Sequence, residues 1–136
     1  MLEQLFNHLF KNLKLDKSKV GEIVVGNVIQ PGSGIYQARL GQTYAGIPYT
    51  VPLSCVNRFC GSGLEACGIV AAKIKAGFIN CGIGAGVESM SIYEMTSLVD
   101  PNKLNEKCFD TQKTRDVLTT MGRTSEVRYL NIFTLI

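Results

Sequence analysis

Apolar residues open the chain at helical spacing: Leu2, Leu5, Phe6, Leu9, Phe10 and Leu13, with Glu3, Gln4, Asn7, Lys11 and Asn12 between them. A period of about 3.6 puts the first set on one face, so residues 2–13 read as an amphipathic surface helix. His8 falls towards the polar face, as a solvated histidine without a catalytic role. After the polar connection 16–19, Glu22 to Val28 reads as a short, mostly buried strand. Pro31-Gly32-Ser33-Gly34 reads as a surface turn before a helix. It lacks both the Gly-Lys-Ser/Thr end of a phosphate-binding loop and the glycine spacing of a dinucleotide fingerprint.

Gln37 to Ala45 follows as a modest helix, closed by Gly46 and broken before Pro48. Thr50 to Val56 is the second strand. Leu64 to Ala76 is alanine-rich and apolar on nearly every side, which predicts a helix buried inside a layered domain, with Gly77 as its stop. Cys81 to Val87 reads as a strand whose small residues let neighbouring backbone approach. Helix and strand thus alternate three times, which argues for an α/β layered domain with parallel pairing. Past Ser91 the period dissolves. Residues 92–120 read as a loop excursion, and Arg128 to Ile136 as a β-prone, apolar end.

An apolar fraction of 46% with 18% charged residues describes a globular chain. The net charge of +3 comes without a basic block, so nothing calls for a nucleic-acid partner. No apolar run approaches the ~18 residues of a membrane span, and no secretory-peptide pattern opens the chain. The five cysteines (55, 60, 67, 81 and 108) are odd in number and form no CxxC, and His8 is the only histidine. A disulfide framework or a metal site is not expected; a reducing compartment with buried thiols is, Cys60 excepted.

Cys60 stands apart because a strand leads to it and Gly61-Ser62-Gly63 turns the chain from it into a helix. Unpaired amides and the positive end of the macrodipole at a helix start favour a thiolate. A thiolate accepts acyl groups readily, the Cys60 amide is placed to donate to an oxyanion, and Gly61 and Gly63 keep the turn clear of side chains. The competing reading is a small buried hydrophobe, the usual state of a free cysteine. The residues alone leave both open.

The run Val56-Asn57-Arg58-Phe59-Cys60-Gly61-Ser62-Gly63-Leu64-Glu65-Ala66 resembles the nucleophile motif of the thiolases. Gly84-Ala85-Gly86-Val87-Glu88-Ser89-Met90-Ser91 is similar to the glycine-rich strand and Glu-Ser-Met that follow it in that family. Glu22 to Gln30 resembles the strand after the first helix, and Met121-Gly122-Arg123-Thr124-Ser125-Glu126 the family's Met-Gly-x-Thr-Ser-Glu segment. The helix end Ala72-Lys73-Ile74-Lys75-Ala76-Gly77-Phe78 is most similar to peroxisomal 3-ketoacyl-CoA thiolases.

The resemblance implies a layered thiolase-like amino-terminal α/β domain whose core is residues 1–91, with the start of the family's loop region at 92–126 and an unrelated apolar tail at 127–136. It implies thiolytic cleavage of 3-ketoacyl-CoA by coenzyme A, the coenzyme being a substrate and no cofactor being required. Cys60 would carry the acyl group and lend its amide to an oxyanion hole. Met121 would stand beside the acyl pocket. Thr50–Val56 would pair across a homodimer axis, and the compartment would be the peroxisome, with mitochondrion or cytosol as the alternative.

The family's Gly-His-Pro histidine, Asn-Glu-Ala-Phe asparagine and second cysteine have no counterparts here. The domain is therefore expected to be incomplete, lacking its second half and its first strand, and inactive as an isolated fragment. The loss of that strand, placed by the resemblance in the middle of the sheet, should leave unpaired backbone and exposed apolar surface. Two other readings remain: a non-catalytic subunit that associates with full-length thiolase, and a redox-sensing thiol module.

Overall fold

The computed structural model describes residues 1–133, the side chains at 96, 97, 101 and 131–133 excepted. The first helix, α1, spans Leu2–Leu13 and buries Leu2, Phe6 and Phe10, the stripe its period predicts. Phe6 is fully buried, worth about 2–3 kcal/mol of apolar transfer. Lys14 ends the helix in the left-handed region, its N–H donating to Phe10 O at 2.9 Å.

Three strands follow: β1 (Glu22–Gly26), β2 (Leu53–Val56) and β3 (Gly82–Gly86). All pair in parallel in the order β2-β1-β3, with Ile23 opposite both Leu53 and Ile83. Every residue of β1 is buried, as expected of the middle strand of a sheet covered on both faces. Ile23 and Val25 face one way and pack with Ile83, Ala85, α1 and α2 (Ile35–Tyr44). Val24 faces the other way, onto Ala66 and Val70 of α3 (Ser62–Lys75). Two layers of helix thus sandwich the sheet, the α/β layered class read from the alternation.

The sheet has no gap where the absent strand was expected. β1 pairs with β3 along its whole length, and Gly21 N–H to Cys81 O (2.8 Å) and Val87 N–H to Gly26 O (3.0 Å) extend the ladder at both ends. The expected unpaired backbone in mid-sheet is therefore corrected. Exposed apolar surface lies instead on α3, which buries only Ser62, Ala66 and Val70, while Leu64 is 81% exposed. A helix apolar all round has one face on this sheet and one face bare, contrary to the expectation of burial on every side. Gly77 ends that helical region as predicted, at φ 75°.

β2 begins at Leu53, three residues later than the alternation suggests. The preceding carbonyls are taken by side chains of α2. Buried Gln42 donates to Pro48 O (3.0 Å) and Val51 O (2.9 Å), and Arg39 donates to Tyr49 O (2.6 Å) and Val51 O (2.8 Å). Those bonds hold the entry to β2 as a loop pinned on α2.

The chain divides into two compact units, the first ending at Leu98. The second contains short 3₁₀ turns, α4 (Gln112–Asp116) and α5 (Met121–Phe133), and none of its described residues is buried. The β-prone reading of the end is corrected as far as Phe133, since those residues continue α5; residues 134–136 lie outside the described residues.

Candidate active site

In a parallel sheet the carboxyl ends of the strands share one edge, and the loops leaving them converge there. The loops after β1, β2 and β3 enclose a cleft of about 370 Å³. Gly26 to Ile29 form one wall, Phe59, Cys60, Ser62 and Gly63 a second, and Gly86 to Glu88 with Met90, Met95 and Leu98 a third. The wall is mostly apolar, with a few polar atoms aimed inward, the usual make-up of a small-molecule site.

Cys60 is exposed and lies two residues before α3, with Gly61 as the helix N-cap. The reading as a buried small hydrophobe does not describe it. The other thiols differ from expectation too: Cys67 is exposed on α3, and Cys55, Cys81 and Cys108 are half-buried. Burial pushes the Cys55 thiol above its ordinary pKa, because an apolar surrounding disfavours the thiolate.

The turn that carries Cys60 is closely bonded. Arg58 N–H donates to Ser62 Oγ (2.8 Å), Phe59 N–H to Asn57 Oδ1 (3.0 Å), Gly61 N–H to Arg58 O (3.1 Å) and Ser62 N–H to Phe59 O (3.0 Å). Of the consecutive amides from Arg58 to Ser62, that of Cys60 alone has no acceptor among the described residues. Phe59 sits at φ 48°, a left-handed conformation unusual for an aromatic residue. An ion pair between Arg58 and Glu65 spans the turn on its exposed side. Gly63 is open: a Cβ there would meet nothing within 4 Å.

The opposite wall is held by Glu88 and Asn27. The Glu88 carboxylate accepts from Val28 N–H (2.8 Å), Ile29 N–H (3.4 Å) and Asn27 Nδ2 (3.1 Å). Asn27, buried at the end of β1, also donates to Val87 O (2.7 Å) and accepts from Gln30 N–H (3.1 Å). Asn57 Nδ2 donates to Val28 O (3.1 Å) and ties the Cys60 turn to the same loop. The sequence pattern singled out neither Asn27 nor Asn57 for these roles; the signal available was an Asn just past a strand, where its side chain can bond nearby backbone.

Met121, the other expected site residue, is the first residue of α5 in the second unit and is 72% exposed. The residues lining the Cys60 cleft all belong to the first unit. His8 is exposed on α1, with Asn12 Nδ2 2.8 Å from its Nε2. No helix among the described residues is long and apolar enough to cross a membrane.

Residues 1–131 match the family described as "Thiolase, N-terminal domain". The chain is 40% identical over 126 residues to mouse "3-ketoacyl-CoA thiolase A, peroxisomal", covering 93% of this chain and 29% of that protein. It is 44% identical over 127 residues to Arabidopsis thaliana "3-ketoacyl-CoA thiolase 5, peroxisomal", covering 93% and 28%. The crystal structure of the dimeric peroxisomal thiolase of Saccharomyces cerevisiae superposes with a TM-score of 0.85 at 32% identity, covering 96% of this chain and 34% of that one. The chain thus spans less than a third of the length of these curated relatives. With residues 1–131 matched and the same layered architecture, the chain belongs to the thiolase family, as part of its N-terminal domain.

Proposed function

We propose that Cys60 is the acyl carrier of a thiolase-type transfer acting on 3-ketoacyl-CoA and coenzyme A. One observation carries the reading: an exposed sulfur lines a cleft at the strand ends, and its own amide is the one turn amide left without an acceptor. In thiolysis the Cys60 thiolate attacks the 3-keto carbon, forming a C–S bond. The C2–C3 bond then breaks, its electron pair leaves as the acetyl-CoA enolate, and a proton returns to C2. Coenzyme A thiolate next attacks the acyl-cysteine, and the shortened acyl-CoA departs as the Cys60 thiolate is restored. Both additions pass through an oxyanion that the Cys60 amide would stabilise.

Among the described residues, the cleft offers Cys60 no separate base and acid for turnover. Apart from Cys60, the one titratable side chain lining the cleft among the described residues is Glu88, whose carboxylate already takes three hydrogen bonds. His8 lies on α1 and lines no part of the cleft. A nucleophile without base and acid supports at most one acylation. Incubating the 136-residue chain with acetyl-CoA and digesting it for mass spectrometry tests the reading. One acetyl group on Cys60, absent from Cys60→Ala, with no turnover of acetoacetyl-CoA is the expected result. Acetylation that ignores Cys60 would overturn it.

A second reading, a non-catalytic subunit that associates with full-length thiolase, is favoured by the edge of the sheet. Among the described residues β2 pairs with β1 alone, so its far side is available to a strand from another chain. A homodimer contact through Thr50–Val56 would use the same edge, whereas Met121 as an acyl-pocket residue and the peroxisome as the compartment belong to the acyl-transfer reading. Co-purification with a full-length thiolase would support association; a monomer indifferent to added thiolase would refute it.

A further inference from the structure

Cys60 N–H shares one peptide plane with Phe59 C=O. In a trans peptide these two groups point in opposite directions, so whatever holds the carbonyl also aims the amide. Phe59 O is gripped twice by the same residue, by Ser62 N–H at 3.0 Å and by Ser62 Oγ at 2.6 Å. Ser62 is itself fixed, being buried and accepting from Arg58 N–H at 2.8 Å. The other side of Phe59 is held by Asn57, whose Oδ1 accepts from Phe59 N–H while its Nδ2 donates to Val28 O. These grips bracket the left-handed Phe59 and leave its following peptide little rotation.

We infer that Ser62 and Asn57 are positioning residues that aim the Cys60 amide as an oxyanion donor, acting through the Phe59–Cys60 peptide. The inference rests on Cys60 as the acyl acceptor and deepens that reading: it assigns the aim of the donor to two side chains that touch no substrate. Its consequence is specific. Loosening the peptide plane slows reactions that pass through an oxyanion and spares those that do not.

Two reagents separate these cases. p-Nitrophenyl acetate acylates through a tetrahedral oxyanion: the Cys60 thiolate adds to the carbonyl carbon, the C–O bond breaks, and p-nitrophenolate leaves. Iodoacetamide alkylates by displacement at a saturated carbon, forming a C–S bond as iodide leaves, with no oxyanion. Both are read at Cys60 by peptide mass spectrometry on the 136-residue chain, with half-buried Cys55, whose labelling rises if the chain unfolds, as an internal control. Losing a whole oxyanion donor costs about 10²–10³-fold, and a misaimed donor should cost roughly 10-fold in acylation. Ser62→Ala and Asn57→Ala are therefore expected to lower the ratio of acylation to alkylation about 10-fold. Asn57→Asp, which keeps the acceptor for Phe59 N–H but loses the donor to Val28 O, should restore part of it.

Asn57 is exposed, so its variants test the inference even where Ser62→Ala does not fold. A parallel fall of both rates, or an unchanged ratio, would overturn the positioning role, as would a wild-type chain that the ester does not acylate at Cys60. A wild type acylated by the ester but not by acetyl-CoA, with the variants still separating the two rates, would refute the thioester reading and leave the positioning role standing.

Discussion

Gly26 at the end of β1 and Ser62 at the start of α3 touch backbone to backbone. A Cβ on Gly26 would stand 2.4 Å from the Ser62 carbonyl carbon and 2.6 Å from Gly63 N. Neither neighbour is a flexible side-chain tip, so only a shift of the helix start would relieve the clash. The N-terminus of α3, with Cys60 just ahead of it, is thus seated against the central strand by the absence of one methyl group.

Gly26→Ala should therefore act on both stability and the site. Overpacking of this kind costs about 1–3 kcal/mol, visible as a lower urea midpoint with an unchanged slope. Alkylation of Cys60 should change several-fold at the same time. Gly63→Ala is the control: its Cβ has open space, so stability should move by less than about 1 kcal/mol, the helix preference for alanine partly offsetting any local cost.

Glu88 holds two backbone amides of the β1 loop and the side chain of Asn27. Glu88→Ala should destabilise by about 2–3 kcal/mol, since hydrogen bonds to a charged group are lost and donors are left unpaired. Glu88→Gln, which keeps one acceptor oxygen, should cost roughly half as much. Equilibrium denaturation checks the order; a smaller loss for Ala than for Gln would contradict this role of Glu88.

The end of α3 is anchored to the start of β1 by Lys73 and Glu22, with Lys73 Nζ 2.6 Å from Glu22 Oε1. The Glu22 carboxylate is nearly buried, whereas Lys73 is partly in solvent. Lys73→Met should then cost about 2 kcal/mol, between the values for exposed and buried pairs. Replacing both residues, as Glu22→Gln with Lys73→Met, should recover part of that loss because no uncompensated carboxylate remains. A double-mutant cycle by denaturation measures the coupling.

Cys55 gives a pH dependence. Its folded pKa is raised by burial, so between the ordinary thiol value and the raised one the unfolded chain has released the proton and the folded chain has not. The unfolded state then binds fewer protons, and stability falls as pH rises through that window. Below the ordinary thiol value the group contributes nothing. Cys55→Ser should flatten the alkaline limb of a stability-against-pH curve, and Cys55 should be alkylated more slowly than exposed Cys60.

The sequence by itself determined the elements of the first unit and their order. Leu2, Phe6 and Phe10 at helical spacing, the β-branched Ile23-Val24-Val25, and Gly77 after a helical run are local signals, and each element formed within a few residues of its expected place. The turn at Cys60 was legible for the same reason, because a strand, a cysteine and glycines in succession leave the backbone few options. What lay beyond sequence was every relation between distant segments. Only the tertiary structure decided that β1 would pair directly with β3 and close the expected gap, and that α3 would have one face left bare. The same holds at the site. Cys60 could be named from its neighbours, but the aim of its amide depends on Ser62 and Asn57 and on the loop after β1 that Asn57 grips, a contact across 29 residues of chain. Local propensity is carried by each residue and its neighbours, whereas a hydrogen bond between loops exists only once the sheet has brought their strands side by side.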